Sequence, residues 1–341
     1  MALGPLPEDW AHVWKTELAR VLPGAASGVR VFFVLSGYLI ARPFVRAYAF
    51  GEPLPNVGVY LRNRALRLLP AVWVAFAVVV VWTGLRGASL GQVIRVLALS
   101  EHWGTSPFDL GLGQAWTLNV EARFYLVVPA LGAALILTRR WGPRTPRGRL
   151  ILVARMTWGQ AHTFGAILLV ALEGALDWGW LGRRLPRLLA AAIWVVGGLC
   201  LLDATVLVFP TVLWLPGPHH FSFEVITTAA AAALVGVPLL LQAAGRGCWR
   251  ALDNPFTRWL GTRSYSIYLY HFVVFAQFAA WVGGPLGYRR ALLFDVLAGL
   301  PVIFLGSELS YRLVEQPALS LKGRVRRASA DAAPPPVAPA R

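Results

Sequence analysis

Charged residues are scarce in this chain. They make up 14% of its 341 residues, whereas about a quarter of an ordinary soluble domain is charged. The hydrophobic residues, 57% of the total, form runs of bilayer length that recur between residues 31 and 309. Such runs are too long for the strands of a membrane β-barrel, and a soluble domain does not need them. We therefore predict an all-α protein, a polytopic transmembrane helix bundle.

Cysteine is almost absent as well. The two cysteines, Cys200 and Cys248, have neither a metal-binding nor a redox spacing, so we expect no disulfide framework and no metal site. The first residues, MALGPLPEDWAHVWK, lack both the basic and the apolar part of a secretory signal peptide. We therefore expect no cleavable signal peptide.

Acidic residues are half as numerous as basic ones, 16 against 32, which gives a formal net charge of +16. In a soluble protein this excess would suggest a nucleic-acid partner. Here the basic residues cluster between the apolar runs, which is the positive-inside pattern. We therefore expect the lipid bilayer as a partner, and no nucleic acid. Four basic segments define the cytoplasmic side, and a few arginines oppose this assignment. The segments are 42–67, 138–155, 246–263 and the tail from Lys322, and the exceptions are Arg183, Arg184, Arg187, Arg289 and Arg290.

The apolar runs predict about nine spans. We divide residues 188–216 into two spans near Asp203, because the four basic segments then lie on the same side of the membrane. Both resulting helices are short for a bilayer, so one is expected to be re-entrant or mismatched. We predict a membrane domain over residues 1–317 in the cytoplasmic membrane. A disordered tail over 318–341, basic and then rich in Pro and Ala, follows on the cytoplasmic side. The predicted spans are 29–42, 68–84, 117–137, 161–177, 188–202, 203–216, 223–244, 264–282 and 290–309.

Glu121 and Arg123 lie in the apolar run AWTLNVEARFYLVVPAL, residues 115–131. An ionisable residue at the centre of a membrane helix costs roughly 2.5–3.5 kcal/mol on insertion scales, so it is a functional candidate by default. In the predicted topology this helix starts at the outer surface, and Glu121 lies about one turn below it. The structural alternative is an interfacial carboxylate paired with Arg123 or another neighbour.

Three arginines, Arg62, Arg64 and Arg67, lie in YLRNRALRLLP, residues 60–70. Arg64 and Arg67 are three residues apart and share a helix face. Guanidinium groups bind phosphates through charge-assisted hydrogen bonds. A phosphorylated donor arriving from the cytosol would contact this helix face first. The alternative is that these arginines only fix the orientation of the helix in the membrane. That role is compatible with binding of the donor.

A further polar stretch, WLGTRSYSIYLYHFVV over residues 259–274, contains Ser264, Tyr265, Tyr268 and His271. Tyr268 and His271 are three residues apart and face one way on a helix. A histidine that is only hydrogen-bonded within the bundle is the alternative to a functional one.

Near the C-terminus, Glu308, Arg312 and Glu315 have the spacing i, i+4, i+7. This spacing predicts a charged ladder at the inner end of the last helix, which we interpret as structural.

Five stretches, in this order, resemble the acyltransferase 3 family, the integral-membrane acyltransferases that O-acylate cell-surface sugars and related acceptors. The resemblance covers most of the chain, although residues 140–250 match only in hydropathy. The matching stretches are GVRVFFVLSGYLI (28–40), RALRLLP (64–70), WTLNVEARFYLVVP (116–129), GTRSYSIYLYH (261–271) and SYRLVEQP (310–317).

The resemblance implies a core of about ten spans that moves an acyl group, most simply acetyl, from acyl-coenzyme A to a hydroxyl. The acyl-CoA is a donor substrate and not a tightly bound cofactor, and the acceptor is a carbohydrate or glycolipid approaching from the outer side. It implies donor binding by Arg62, Arg64 and Arg67, and catalysis by His12 as the base, with Glu121 orienting its imidazole. The other motif residues are expected to line the active site: Trp116, Tyr125, Ser264, Tyr265, Tyr268 and His271.

The chain also departs from the family pattern. Family members begin with a span that carries an arginine and, eleven residues later, the histidine taken as catalytic. Eleven residues before His12 stands Met1, so the start is expected to be truncated. Arg30 stands where many members have aspartate, and Val72 where many have tyrosine. We hypothesise that Arg30 pairs with Glu121.

Two other functions fit parts of this pattern. Intramembrane acidic residues and histidines also form the proton relays of transporters. Transporters often show internal repeats, and none is visible here. A truncated, inactive relative of the acyltransferases is the other alternative.

Overall fold

The protein is all-helical in the computed structural model. No β-strand occurs among the described residues, which confirms the predicted fold class. His12, the predicted span at 203–216 except Asp203, and all of the span at 161–177 except Leu169 and Val170 lie outside them. The described residues are 23–84, 89–100, 112, 114–137, 139–156, 169–170, 178–203, 218–247, 249–250, 252–286 and 294–322.

Ten α-helices are described, and two π-helical turns, Asp295–Gly299 and Tyr311–Glu315, flank the last of them. The helices are α1 (Pro23–Phe50), α2 (Val57–Thr83), α3 (Leu90–Leu97), α4 (Ala115–Leu137), α5 (Pro146–Met156), α6 (Trp178–Arg184), α7 (Arg187–Asp203), α8 (Pro218–Ala243), α9 (Pro255–Leu286) and α10 (Leu300–Ser310).

Five helical stretches in the described part of the chain are long and apolar enough to cross a bilayer, and a sixth span would come from α6 and α7, which meet at a bend of 102°. The protein is therefore a multi-pass membrane protein, although the predicted number of nine spans is not confirmed. The split predicted near Asp203 stays a prediction, because residues 204–217 lie outside the described residues. The five stretches are Gly28–Phe50, Val57–Trp82, Ala115–Leu137, Ile226–Ala243 and Val296–Lys322.

The helix α2 begins eleven residues before the predicted start of its span, at Val57 rather than 68. Asn56 caps it, because its side-chain oxygen accepts a hydrogen bond from the Val59 amide at 3.0 Å. The sequence-based boundary followed hydropathy and therefore missed the polar first turns. As a consequence, the three arginines of this segment lie on a continuous helix.

The described residues form two compact units. The first contains the described residues of 56–124 and 256–322, and the second contains those of 23–55 and 125–255. In the second unit, α8 packs against α1, α6 and α7, and α5 packs against α1. The Arg149 guanidinium fixes the start of α5, donating to the Pro143 carbonyl oxygen at 2.9 Å and to the Ala49 carbonyl oxygen at 3.3 Å.

The close contact of α6 with α8 depends on Gly182. A Cβ at this position would lie 2.4 Å from the Leu240 carbonyl oxygen, so only glycine fits. Arg246, just after α8, donates to the carbonyl oxygens of Gly182 at 2.8 Å and Leu185 at 2.5 Å. These two bonds satisfy carbonyl groups at the end of α6, where the helical hydrogen bonds stop.

The first unit contains α2, α3, the start of α4, α9 and the final helical stretch. Its apolar core joins Phe76 and Val79 of α2 to Ala115 of α4 and Val273 of α9. The Tyr265 hydroxyl also joins α9 to α2, because it donates to the Leu68 carbonyl oxygen at 2.8 Å. The start of α4 is thereby held beside the later turns of α2.

The predicted charged ladder is confirmed for one of its pairs. Glu308 binds Arg312, and it also accepts hydrogen bonds from Arg263 Nε at 2.6 Å and Trp259 Nε1 at 2.8 Å. Glu315 instead accepts a hydrogen bond from the Ser266 hydroxyl. The two glutamates therefore tie the last helical stretch to α9 at two levels. That stretch runs on to Lys322, and residues 323–341 of the predicted tail lie outside the described residues.

Candidate active site

Glu121 lies on the face of α4 that points into the first unit, and its side chain is 8% exposed. Thr117, one turn earlier on the same helix, is 1% exposed. Residues four apart on a helix share a face, so the carboxylate and the hydroxyl belong to one surface. The carboxylate that the sequence places in this apolar run is therefore buried, and the Thr117 hydroxyl lies one turn earlier on the same helix face.

Thr117 and Tyr268 form a hydrogen-bonded cluster with the backbone of Gln114. The Gln114 carbonyl oxygen lies 2.7 Å from the Tyr268 hydroxyl and 3.1 Å from the Thr117 hydroxyl, and the two hydroxyls are also bonded to each other. Because each hydroxyl has one proton, one of them donates to the carbonyl and the other donates to its neighbour. The Gln114 side chain donates from Nε2 to the Leu269 carbonyl oxygen at 2.5 Å. These bonds fix the start of α4 against the middle of α9.

His271 lies next to Tyr268, with 5.5 Å between the ring centroids. Its Nδ1 lies 2.8 Å from the Tyr268 backbone carbonyl oxygen. A carbonyl only accepts, so Nδ1 carries the proton, and Nε2 of the neutral imidazole is then the proton acceptor. The backbone bond therefore leaves His271 with a basic nitrogen directed away from that carbonyl.

The carboxylate of Glu121 lies within electrostatic range of the hydroxyls of Tyr268 and Tyr60. Tyr60 belongs to the first turn of α2, and the Arg64 guanidinium lies 5.5 Å from its ring centroid. Glu121 therefore lies in the same part of the first unit as Tyr60 and Tyr268. Its depth in the bilayer, about one turn below the outer surface, stays a prediction.

Two buried amide oxygens of the same segment have no hydrogen-bond partner among the described residues: Oε1 of Gln114 and Oδ1 of Asn119. Both side chains are 6% exposed. Buried polar atoms are nearly always bonded, to protein, water or ligand. Each oxygen can therefore accept a hydrogen bond from a hydroxyl of a bound molecule or from water.

The three predicted donor-binding arginines occupy the first turns of α2. Arg62 Nη2 donates to the Leu321 carbonyl oxygen at 3.1 Å, Arg64 lies over Tyr60, and Arg67 is exposed. Glu315 and Lys322 lie within electrostatic range of Arg67. This end of the first unit thus carries a cluster of cations.

The other predicted lining residues are Ser264, Tyr265, Trp116 and Tyr125. The exposed Ser264 hydroxyl donates to the Gly261 carbonyl oxygen at 2.8 Å, and Tyr265 binds the backbone of α2. Trp116 is 42% exposed. Tyr125 is 5% exposed and belongs to the second unit. Their roles at the site, like that of His12, remain predictions.

Arg30, which departs from the family pattern, donates from Nη1 to the Thr227 hydroxyl at 2.6 Å within the second unit. Its pairing with Glu121 remains a hypothesis. Among the described residues, no group of three or more His, Cys, Asp or Glu side chains is placed to hold a metal ion.

Four groups of this site were not singled out from the sequence: Gln114, Thr117, Asn119 and Tyr60. Thr117 could have been found, because it lies one turn from Glu121 within the same motif. Gln114 contributes its backbone carbonyl as well as its side chain, and no side-chain pattern reports the role of a backbone carbonyl. Tyr60 joins the site only because α2 and α4 pack at a particular offset.

A multi-pass helical protein with a buried carboxylate in the same unit as a neighbouring tyrosine and histidine fits either a membrane enzyme or a transporter. Comparison with known proteins makes this specific. The model of the family Acyl_transf_3, described as an acyltransferase domain, matches residues 9–310. The chain belongs to this acyltransferase 3 family, and it is a membrane O-acyltransferase.

Curated relatives extend the similarity over most of the chain. It is 30% identical over 336 residues to the exopolysaccharide production protein ExoZ of Rhizobium meliloti (strain 1021), covering 89% of this chain and 92% of ExoZ. It is 25% identical over 336 residues to the peptidoglycan O-acetyltransferase OatA of Listeria monocytogenes (86% of this chain, 51% of OatA). It is 28% identical over 332 residues to the putative peptidoglycan O-acetyltransferase YrhL of Bacillus subtilis (86% and 50%). The chain thus spans about half the length of the latter two. No solved structure matches it.

Proposed function

We propose that this protein transfers an acyl group, most simply acetyl, from cytosolic acyl-coenzyme A to a hydroxyl of a cell-surface carbohydrate or glycolipid. The observation that carries the proposal is a site formed by the buried Glu121 and Thr117 and the half-buried Tyr268 and His271. It lies in the same unit as the arginines of α2. The printed names of the relatives, which concern exopolysaccharide production and peptidoglycan O-acetylation, support a carbohydrate acceptor.

The donor site consists of Arg64 and Arg67, with Arg62 beside them. Coenzyme A carries phosphates that do not cross a bilayer, and guanidinium groups bind phosphate oxygens through charge-assisted hydrogen bonds. This end of α2 then faces the cytoplasm, and so does the C-terminus. Because Glu121 lies within electrostatic range of Tyr60 on the first turn of α2, the thioester arm extends from the arginines toward the buried carboxylate.

The chemical step is attack of the acceptor hydroxyl oxygen on the thioester carbonyl carbon. A base takes the hydroxyl proton, the new C–O bond forms, and the C–S bond breaks as coenzyme A leaves as a thiolate that is then protonated. His12 is the predicted base, and Nε2 of His271 is a second candidate, because the bond to the Tyr268 carbonyl leaves that nitrogen basic.

Two further groups stabilise charge during this step. Glu121 stabilises the imidazolium that forms when the base takes its proton. When the tetrahedral intermediate forms, the Tyr268 hydroxyl redirects its one proton to the oxyanion, while the Thr117 hydroxyl donates to the Gln114 carbonyl oxygen. The unpartnered oxygens of Gln114 and Asn119 accept hydrogen bonds from acceptor hydroxyls.

Membranes carrying the chain, incubated with radiolabelled acetyl-coenzyme A, test the proposal through base-labile label in carbohydrate-containing material. Glu121→Gln is expected to abolish the label. Glu52→Gln is the matched control, because Glu52 is exposed and paired with Arg46, and it should retain the label. Equal label from the native chain and from Glu121→Gln would show that Glu121 has a structural and not a catalytic role. No label from the native chain with any of several carbohydrate acceptors would contradict the proposed donor or acceptor class.

A further inference from the structure

The helices α7 and α8 of the second unit pack antiparallel to each other. The Trp194 indole donates from Nε1 to the Leu234 carbonyl oxygen at 3.2 Å. Three residues further along α7, a Cβ at Gly197 would lie 3.1 Å from the carbonyl oxygen of Ala230, which comes four residues earlier on α8. Residue numbers therefore rise along one helix as they fall along the other, so the start of α7 lies beside the end of α8.

The bend between α6 and α7 is fixed at this same end. Arg246, just after α8, donates to the carbonyl oxygens of Gly182 at 2.8 Å and Leu185 at 2.5 Å. The helix α6 runs nearly perpendicular to α7, because the pair is bent by 102°. Since α7 packs along α8, which is long and apolar enough to cross the bilayer, α6 lies across the end of a span and close to the plane of the membrane surface.

Basic segments from other parts of the chain share this end of the second unit. Arg30, in the third turn of α1, donates to Thr227, in the third turn of α8, at 2.6 Å. The two packed helices therefore begin at one end and finish at the other. At the far end of α1 the Arg149 guanidinium donates to the Ala49 carbonyl oxygen at 3.3 Å. Parts of three of the four basic segments that predict the cytoplasmic side thus lie at the end where the bend lies.

The bend presents cations that no described carboxylate neutralises. Arg183, Arg184 and Arg187 are exposed, and so is Arg250 beyond α8. In the part of the chain that the structure describes, none of these four guanidinium groups forms an ion pair. The Arg184 guanidinium lies 4.4 Å from the ring centroid of Trp180, which is 47% exposed. Exposed tryptophan and arginine side chains at the end of a span are typical of the headgroup layer of a membrane.

We propose that the α6–α7 bend lies at the cytoplasmic surface of the membrane, where Arg183, Arg184 and Arg187 bind the phosphates of anionic phospholipid headgroups. Guanidinium groups form bidentate, charge-assisted hydrogen bonds with phosphate oxygens. Anionic lipids of the cytoplasmic leaflet attract basic segments that lie at the surface. The three arginines, which oppose the topology predicted from the sequence, then agree with the positive-inside pattern. The inference does not rest on the proposed acyl transfer, because the bend and Glu121 belong to different units.

Labelling of single cysteines with a membrane-impermeant maleimide, in intact cells and in inverted membrane vesicles, tests the side of the membrane. The background carries Cys200→Ala and Cys248→Ala, so that only the introduced thiol reacts. Arg184→Cys is expected to react only in inverted vesicles, as Arg250→Cys does. Gly28→Cys, at the start of α1, is the control for the opposite side, because no atom lies within 4 Å of a Cβ there, and it should react in intact cells. Reaction of Arg184→Cys in intact cells would overturn the cytoplasmic position of the bend.

Titration of short-chain phosphatidylglycerol or phosphatidylcholine into the purified full chain in a non-ionic detergent, followed by native mass spectrometry, tests the headgroup contact. The native chain should prefer phosphatidylglycerol. Combining Arg183→Gln, Arg184→Gln and Arg187→Gln is expected to weaken phosphatidylglycerol binding by about fivefold for each arginine removed, and to leave phosphatidylcholine binding unchanged. The corresponding three Arg→Lys changes should retain most of the affinity. Arg95→Gln is the control, because Arg95 lies in the last turn of α3 in the first unit, and it should bind as the native chain does.

Three outcomes of the titration would overturn the headgroup contact. Equal phosphatidylglycerol binding by the native chain and the triple Gln variant would show that the bend is not a binding surface. An equal loss from Arg95→Gln alone would show a general attraction of the lipid to positive charge. A lowered unfolding midpoint in both the Gln and the Lys variants would show that the three arginines have a structural role.

Discussion

Replacing Tyr268 by phenylalanine separates the catalytic from the structural role of the buried cluster. The change removes one hydroxyl and keeps the ring that packs beside His271. The Gln114 carbonyl oxygen keeps its bond from the Thr117 hydroxyl, at 3.1 Å, so no buried acceptor loses its last partner. We therefore expect the free energy of unfolding to fall by only about 1 kcal/mol, the usual net contribution of one hydrogen bond.

The expected effect on catalysis is much larger. Loss of one oxyanion donor lowers kcat by about 10²–10³-fold, or about 2.7–4 kcal/mol in activation free energy. The assay compares kcat for acetyl transfer with the thermal unfolding midpoint of the purified protein. Tyr270→Phe is the control, because Tyr270 lies two residues further along the same helix, and it should leave kcat near the native value. A kcat within about threefold of native for Tyr268→Phe would refute the oxyanion role.

Three other changes test separate features. If His271 is the base, His271→Gln should reduce label transfer by about 10²–10⁴-fold and His12→Gln should not; the reverse result would assign the base to His12 as the sequence predicts. Gly182→Val should reduce the yield of folded protein, because a Cβ there would lie 2.4 Å from a carbonyl oxygen of α8. Gly198→Ala, with no atom within 4 Å of its Cβ, is its control, and equal yields would contradict the packing argument. Glu308→Gln should lower the thermal midpoint, since two arginines lose their carboxylate; an unchanged midpoint would show that the ion pairs contribute nothing net.

Much of the fold could be predicted because a bilayer leaves few alternatives. Long apolar runs must be helical, since backbone groups in lipid have to bond within their own segment. For this reason the fold class and the span at α4 agree closely with the sequence-based prediction. Helix ends in polar regions were predicted less well. The start of α2 was misplaced by eleven residues, because hydropathy does not detect a helix that begins with a capping Asn56 outside the apolar run.

The site was predicted in part. The motif around Glu121 identified a carboxylate that the structure shows to be buried, and the spacing of Tyr268 and His271 correctly placed the two rings side by side. The partners of these residues could not be predicted, because Thr117 and Tyr268 meet through the offset between α4 and α9. The depth of Glu121 below the outer surface stays a prediction.

The sequence by itself determined what the chain contains: bilayer-length apolar helices, a carboxylate within one of them, basic segments between them, and five ordered motifs of one family. Each of these depends on residue type and on spacing along the chain. In a helix, residues three or four positions apart lie on the same face, so spacing alone predicts which side chains share a face. The tertiary structure decided which faces meet. Helix packing can slide or rotate by a turn without changing hydropathy, so only the packed helices could bring the Thr117 hydroxyl to Tyr268 and the Arg62 guanidinium to the Leu321 carbonyl oxygen.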